Sequence, residues 1–311
     1  MRQTFERAWV SLANSGRYRR FARQGLGATF FRSDAYRRLI MAKNYVTTYP
    51  GSLLNGGAYR NLDVFCAFIG PTKSGSTLVG SLLDAHPEAV FADEVDALRY
   101  VDAGFNRRQI ADILVRRSRR QAMAGRVTAR RLTAYDFEVP GQWQGRYQTL
   151  RVMGDSKAGM STRRLGQNPG LLARTERVMK GAQARYIMVV RNPFDPITAM
   201  RIRGRRSTAN AIQRYFENCA YLQTLRQSID PGRLFLVRYE EFVGRPRAIL
   251  AELCAFLGLE ADRTYLDACA AIVYDEPEKI RGQLEWPAAD RQAVLDHSAG
   301  YDFLAGYTFE N

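Results

Sequence analysis

The stretch Val64-Phe65-Cys66-Ala67-Phe68-Ile69-Gly70-Pro71-Thr72-Lys73-Ser74-Gly75-Ser76-Thr77 decides how this chain is read. Its first six residues are an apolar run rich in β-formers, the pattern of a buried strand. Gly70 to Gly75 form a turn. Ser76 to Ala85 predict a helix, with Leu78, Val79, Leu82 and Leu83 at helical spacing. Strand, glycine-bearing turn and helix make the context that a phosphate-binding loop requires. Glycines let the backbone curl. The helix N-terminus then turns free N–H groups and the positive end of its dipole toward an anion.

The spacing within the loop, G-x-x-x-x-G-S-T, separates this chain from nucleotide triphosphatases. Those place a lysine where Ser76 stands, and they need a magnesium carboxylate after a second strand. Here the loop's only lysine is Lys73, inside the turn. From there it can reach the outer end of a bound 5′ group, including a bridging oxygen. The later strands deliver Arg191 and Arg238 at their ends.

Working outward, Ala184 to Val190 reads as a second buried strand, followed by Arg191-Asn192-Pro193-Phe194-Asp195. An α/β protein places its ligands at such C-terminal strand ends, and arginine offers a bidentate fork for phosphate. Thr149 to Met153 and Leu234 to Tyr239 predict further strands. Val90 to Asp93 is a short extended run. Residues 107–124, 168–181, 210–227 and 247–257 predict helices, the last closed by Gly258. Strands alternating with helices specify an α/β fold: three layers, P-loop-like, with a central, mostly parallel sheet flanked by helices.

These motifs, in this order, resemble the sulfotransferase family that uses 3′-phosphoadenosine 5′-phosphosulfate (PAPS). The likeness is to bacterial-type members, closest to the carbohydrate (heparan-type) enzymes. The family's loop P-x-x-S-G-T/S-T, its helix and its H-P pair are matched by Pro71 to Thr77 and then His86-Pro87. The resemblance implies that Lys73 touches the sulfuryl bridge while Thr72, Ser74, Gly75, Ser76 and Thr77 hold the 5′-phosphosulfate. The family's R-x-P-x-D-x-x-x-S is matched at Arg191, Pro193 and Asp195. Ala199 stands at the serine position, and Thr198 is the neighbouring hydroxyl. The implied role of Arg191, with Thr198, is the 3′-phosphate. Val237-Arg238-Tyr239-Glu240-Glu241-Phe242 is similar to the run that sets a tyrosine, here Tyr239, near the adenine. Glu278-Lys279-Ile280-Arg281-Gly282 matches a basic loop over the 3′-phosphate, through Lys279 and Arg281. Altogether the resemblance covers about residues 62–290.

Sulfuryl transfer to a hydroxyl needs a group that accepts a proton and cations that hold charge on the leaving phosphate. Asp93-Glu94-Val95-Asp96 resembles the N-E-V-H region of carbohydrate sulfotransferases, which implies that Glu94 is the base. Three clustered carboxylates would also raise one another's pKa. Gly154-Asp155-Ser156-Lys157 resembles a family stretch that supplies a second active-site lysine, here Lys157. His86, at a helix end beside Pro87, reads as a structural cap, and His297 lies outside every motif.

The chain of 311 residues carries 46 Lys and Arg against 31 Asp and Glu, a net charge of +15. Much of the excess lies in residues 1–50, and the arginine-rich stretches 107–131 and 201–206 hold more. Such charge suits anionic partners. The expected domains are a basic helical extension over 1–55 and the α/β domain over 56–311. Expected partners are a small-molecule, glycan or lipid acceptor, with peripheral attachment to anionic membrane through the basic extension. No nucleic-acid signature and no metal requirement are read. Four cysteines without C-x-x-C spacing, and no secretory signal or membrane span, point to free thiols in a reducing cytoplasm. The rival readings are a P-loop kinase or NTPase, and a non-catalytic basic protein binding nucleic acid or a membrane surface.

Overall fold

The computed structural model describes residues 34–54, 57–125, 136–204 and 206–311. The chain divides into two units, Met1–Pro50 and Gly51–Asn311. The division falls a few residues before the expected boundary at 55. Described residues of the first unit belong to the helix Asp34–Leu54. Its remaining basic residues, and those of 126–131, lie outside the described segments.

The second unit is built on five strands: β1 (Val64–Ile69), β2 (Ala89–Ala92), β3 (Val152–Asp155), β4 (Gln183–Val190) and β5 (Leu234–Arg238). All pair in parallel in the order β2-β3-β1-β4-β5. Every residue of β1 is buried, as the central strand of a sheet covered on both faces must be. Val64, Cys66 and Phe68 enter one core cluster. There they join Leu78, Val79, Leu82 and Leu83 of the helix Ser76–Leu83 and Leu250, Leu253 and Leu257 of the helix Pro246–Leu257. The helix Ala158–Gln167 also packs on β1. The three layers expected from the sequence are present.

Strand order reverses at β1, where β3 lies on one side and β4 on the other. Ligands of open α/β sheets bind above such a switch point. Register aligns the strand ends that matter: Ile69 pairs with Met188, and Ala67 with Asp155. The segments after β1, β3 and β4 therefore emerge together.

One strand differs from its sequence reading. The expected Thr149–Met153 is instead Val152–Asp155, locked by pairing of Val64 with Val152. Gly154 fits there because the Phe91 ring fills its side; a Cβ at Gly154 would stand 2.2 Å from Phe91 Cε1. The shift brings Asp155 onto the sheet, fully buried. All four cysteines are buried and free. Among the described residues, no helix is long and apolar enough to cross a membrane.

Candidate active site

The loop after β1 delivers the first half of the site. Gly70 (φ 145°) and Gly75 (φ 97°) adopt conformations open to glycine, and Lys73 is in the left-handed region at φ 74°. Ser74 Oγ donates to the Pro71 carbonyl at 2.8 Å, and Ser76 Oγ to the Ser156 carbonyl at 2.9 Å. Thr77 Oγ1 donates to Asp93 Oδ1 at 3.2 Å. These hydroxyls tie the loop to its surroundings. The helix Ser76–Leu83 begins with no side-chain cap, its N-cap being Gly75. Leu78 and Val79 donate to the Gly75 carbonyl, while the Ser76 and Thr77 amides have no acceptor among the described residues. Two uncapped amides at a partly exposed helix start form an anion seat.

The segments after β2 and β3 supply the second group. Glu94 (φ 62°) and Asp96 (φ 60°) are, with Lys73, the non-glycine residues of positive φ among those described. Such strain persists only where neighbours impose it. Asp155 is the main neighbour: its two carboxylate oxygens accept from the Val95 amide (3.2 Å) and the Ala97 amide (2.7 Å). Burial, reinforced by Asp96 and Asp93, pushes the Asp155 carboxyl up to about 7, against the pull of those two amides. Glu94 is exposed, its side chain 53% accessible, and pairs with Lys157 Nζ. Burial lowers the Lys157 pKa first, with Asp93 raising it and the charge of Lys73 lowering it further.

The carboxylates of the 93–96 turn meet different partners. Each has its own donors. Asp93 is held by Ser156 Oγ (2.8 Å) and Thr77, while Asp96 meets Arg164 Nη2 at 2.6 Å. Glu94 has Lys157. The raised carboxyl is Asp155, a residue the sequence quoted only as part of a lysine motif. Its position at a strand end before Lys157 was the available signal. Gln121, which bonds both the amide and carbonyl of Asp93 (2.9 and 2.8 Å), had none.

The third group follows β4. Arg191 is 6% exposed. It donates through Nη2 to the Glu278 carbonyl, and its Nε lies 3.6 Å from Asp195 Oδ2. That Nε is buried and makes no hydrogen bond. Asp195 also accepts from the Arg281 amide (2.9 Å) and from Arg281 Nη1 (2.8 Å). Burial raises the Asp195 pKa, and the two arginines oppose it. Arg281 Nη2 donates to the Asn311 carbonyl, and Lys279 Nζ to the Glu310 carbonyl at 3.0 Å.

Tyr239 joins the halves. The Arg191 guanidinium lies 4.6 Å from its ring centroid, and a Cβ on Gly75 would stand 2.2 Å from Tyr239 Cδ2. The loop of Lys73 and the side chain of Arg191 therefore share one end of the sheet, on either side of one ring. Tyr239 is itself buried, 7% exposed. Thr198 is enclosed within the fold. It is 0% exposed, and its Oγ1 accepts from Trp286 Nε1 at 3.2 Å. His86 is structural: Nδ1 accepts from the Glu88 amide (3.1 Å), Nε2 bonds the Glu260 carbonyl (3.0 Å), and the ring packs edge-on to Tyr265.

A parallel sheet with an uncapped loop, two lysines and a buried arginine at its switch point defines an α/β fold with a cationic group at its strand ends. Residues 67–263, more than half of the chain, match the profile described as "Sulfotransferase family". The chain belongs to that family and is a sulfotransferase. No curated protein sequence matches it. Among solved structures it is similar to the sulfotransferase domain from the Synechococcus PCC 7002 olefin synthase. That match has 20% identity, 78% of this chain and 96% of that chain covered, and TM-score 0.48. A Mycobacterium avium sulfotransferase also matches, at 12% identity, with 86% and 82% covered and TM-score 0.48. Retinol dehydratase in a complex with retinol and PAP matches at 12% identity, with 81% and 87% covered and TM-score 0.37.

Proposed function

We propose that this sulfotransferase moves a sulfuryl group from PAPS to an acceptor hydroxyl on a small molecule, glycan or lipid. The reading rests on one observation: the loop of Lys73, through Gly75, and the buried Arg191, with its unbonded Nε, both lie against the Tyr239 ring at one end of the sheet. An orphaned buried donor is costly unless something receives it, and a phosphate oxygen suits a guanidinium. Loop amides and Lys73 would take the 5′-phosphosulfate. Arg191 would take the 3′-phosphate, with Lys279 and Arg281 at the edge of that subsite.

In the transfer, a bond forms between the acceptor oxygen and sulfur as the bond from sulfur to the 5′-phosphate oxygen breaks. The electron pair of that bond stays on the leaving phosphate. Lys73 and Lys157 would hold this charge, an effect strongest where water is excluded. The acceptor proton passes to Glu94, whose exposed carboxylate faces Lys157. Expelling Lys157 toward the leaving phosphate frees Glu94 to act as base. No step calls for a metal.

Calorimetric titration with adenosine 3′,5′-bisphosphate (PAP) tests the donor, and a PAPS-consumption screen across acceptor classes tests the transfer. Saturable PAP binding with turnover on a hydroxyl acceptor is expected. Turnover of ATP with magnesium, and indifference to PAP, would select the NTPase reading instead.

A further inference from the structure

Among the described residues, three guanidinia gather near the loop of Lys73 with one carboxylate, that of Glu217, among them. The helix Ala158–Gln167 begins directly after Lys157, and its Gly159 lies against the loop; a Cβ there would stand 2.2 Å from Thr72 Oγ1. Arg163 follows one turn later on the same face, about 6 Å further along the axis. The helix Thr208–Ser228 packs along this one, with Gly166 closed onto the Tyr221 ring. Asn210, Arg214 and Glu217 succeed one another on one face of it. Arg206, just before its start, donates to Asn210 Oδ1 at 3.0 Å. Glu217 Oε2 lies 3.6 Å from Arg163 Nη2.

We propose that the acceptor carries an oxyanion, and that Arg163, Arg206 and Arg214 receive it beside the donor loop. The inference rests on the donor reading above and adds the acceptor's chemical class. Three cations face one acid, Glu217, so the patch keeps an excess of positive charge. Burial lowers the Arg214 pKa, Arg163 and Arg206 lower it further, and Glu217 alone opposes them. Self-repelling charge of this kind weakens folding and is relieved when an anion binds. Arg163 and Arg214 are half-buried and Arg206 is exposed, so all three remain open to a ligand. Guanidinium forks match carboxylate, sulfate and phosphate alike. The acceptor is therefore a hydroxylated molecule with such a group a short distance from the reacting hydroxyl.

The test uses the full-length protein saturated with PAP. Matched glycoside, phenol and sterol ligands, each with and without a carboxylate, sulfate or phosphate, are titrated by calorimetry. The charged member of a pair should bind about tenfold to a hundredfold more tightly at low salt, from one or two charge-assisted contacts. That preference should shrink as salt rises. It should vanish in the double variant R206Q/R214Q, while PAP affinity stays within about twofold because neither arginine touches the donor groups. Normal PAP binding with no charge preference in any pair, or with no ligand bound, would overturn this inference alone. So would a preference that survives the double variant. Failure of PAP to bind the wild-type protein would remove the donor reading and this inference with it.

Discussion

The two halves of the donor end are built on opposite terms. Around Lys73 and Glu94 the side chains are exposed, and the backbone carries the three positive-φ non-glycine residues, Lys73, Glu94 and Asp96. Around Arg191 the charged groups are buried, and Asp195 is shared between two arginines. On the proposed reading the contrast separates two tasks. Groups that exchange protons and meet developing charge need room, and here a strained turn holds them from behind. A group that only recognises a phosphate can be sealed into the fold, because its geometry never has to change. The open half exposes the side chains of Lys73 and Glu94, so changes to them should alter rate. The closed half is part of the core, so changes there should alter stability and donor affinity together.

Glu94→Gln should show the largest effect and sharpen this division. Loss of a general base lowers turnover by about 10²–10⁴-fold. PAP affinity and thermal stability should hold, since Glu94 is exposed and bonds only Lys157. Initial rates and calorimetry on the same preparation decide it. Unchanged turnover removes Glu94 from the chemistry.

Asp195→Asn attacks the closed half. It leaves Arg191 and Arg281 without their shared counter-charge, and breaking a buried pair costs about 3–5 kcal/mol. Urea denaturation should show that loss, with weakened PAP binding. A stability change without a PAP effect would separate Arg191 from the donor.

Gly75→Ala strikes the seam. It demands a left-handed alanine and drives a methyl into the Tyr239 ring. Strain and overpacking together cost about 2–4 kcal/mol. Both subsites should suffer, seen as weaker binding of PAP and also of adenosine 5′-phosphate.

Asp155→Asn probes the support of the open half. An amide offers one acceptor oxygen where two amides now donate, a cost of about 1–3 kcal/mol. The effect depends on pH, with a definite sign. The native carboxyl keeps its proton up to about pH 7, whereas the unfolded chain releases it near the ordinary value of 3.8. Across that window the native state binds more protons, so this group's contribution to stability falls as pH rises. Wild type should therefore lose ground against Asp155→Asn between about pH 4 and pH 7 and hold level above. Denaturation across that range reads the trend; a flat difference would contradict a raised carboxyl.

The smallest effect on binding belongs to Thr198→Val. Removing the acceptor of Trp286 Nε1 should cost about 1 kcal/mol of stability. PAP affinity should stay within error, because the hydroxyl is buried and bonded to Trp286.

The open half was the more legible from sequence. Lys73 and the loop follow directly from the apolar run of β1 and its glycines, and the lysine of Gly154-Asp155-Ser156-Lys157 could be placed by its strand. Local chain order determines those positions. Roles set by distant partners were not legible in the same way. The enclosure of Thr198 involves Trp286, 88 residues away. The burial of Tyr239 against Gly75 comes from packing between distant segments. The partners of Asp93, Glu94 and Asp96 are Gln121, Ser156, Arg164 and Lys157, none of which is a neighbour in sequence. The arginine patch beside the donor loop likewise arises from two helices laid side by side.

Paired PAP titrations of wild type, Lys73→Ala and Arg191→Met test the central arrangement most directly. A single site is predicted, with each variant weakening PAP about tenfold or more, the worth of a lost charge-assisted contact. Adenosine 5′-phosphate, which lacks the 3′-phosphate, should feel Lys73→Ala and be nearly indifferent to Arg191→Met. Equal sensitivity of both ligands to Arg191→Met, or of neither to Lys73→Ala, would contradict two subsites gripping one nucleotide.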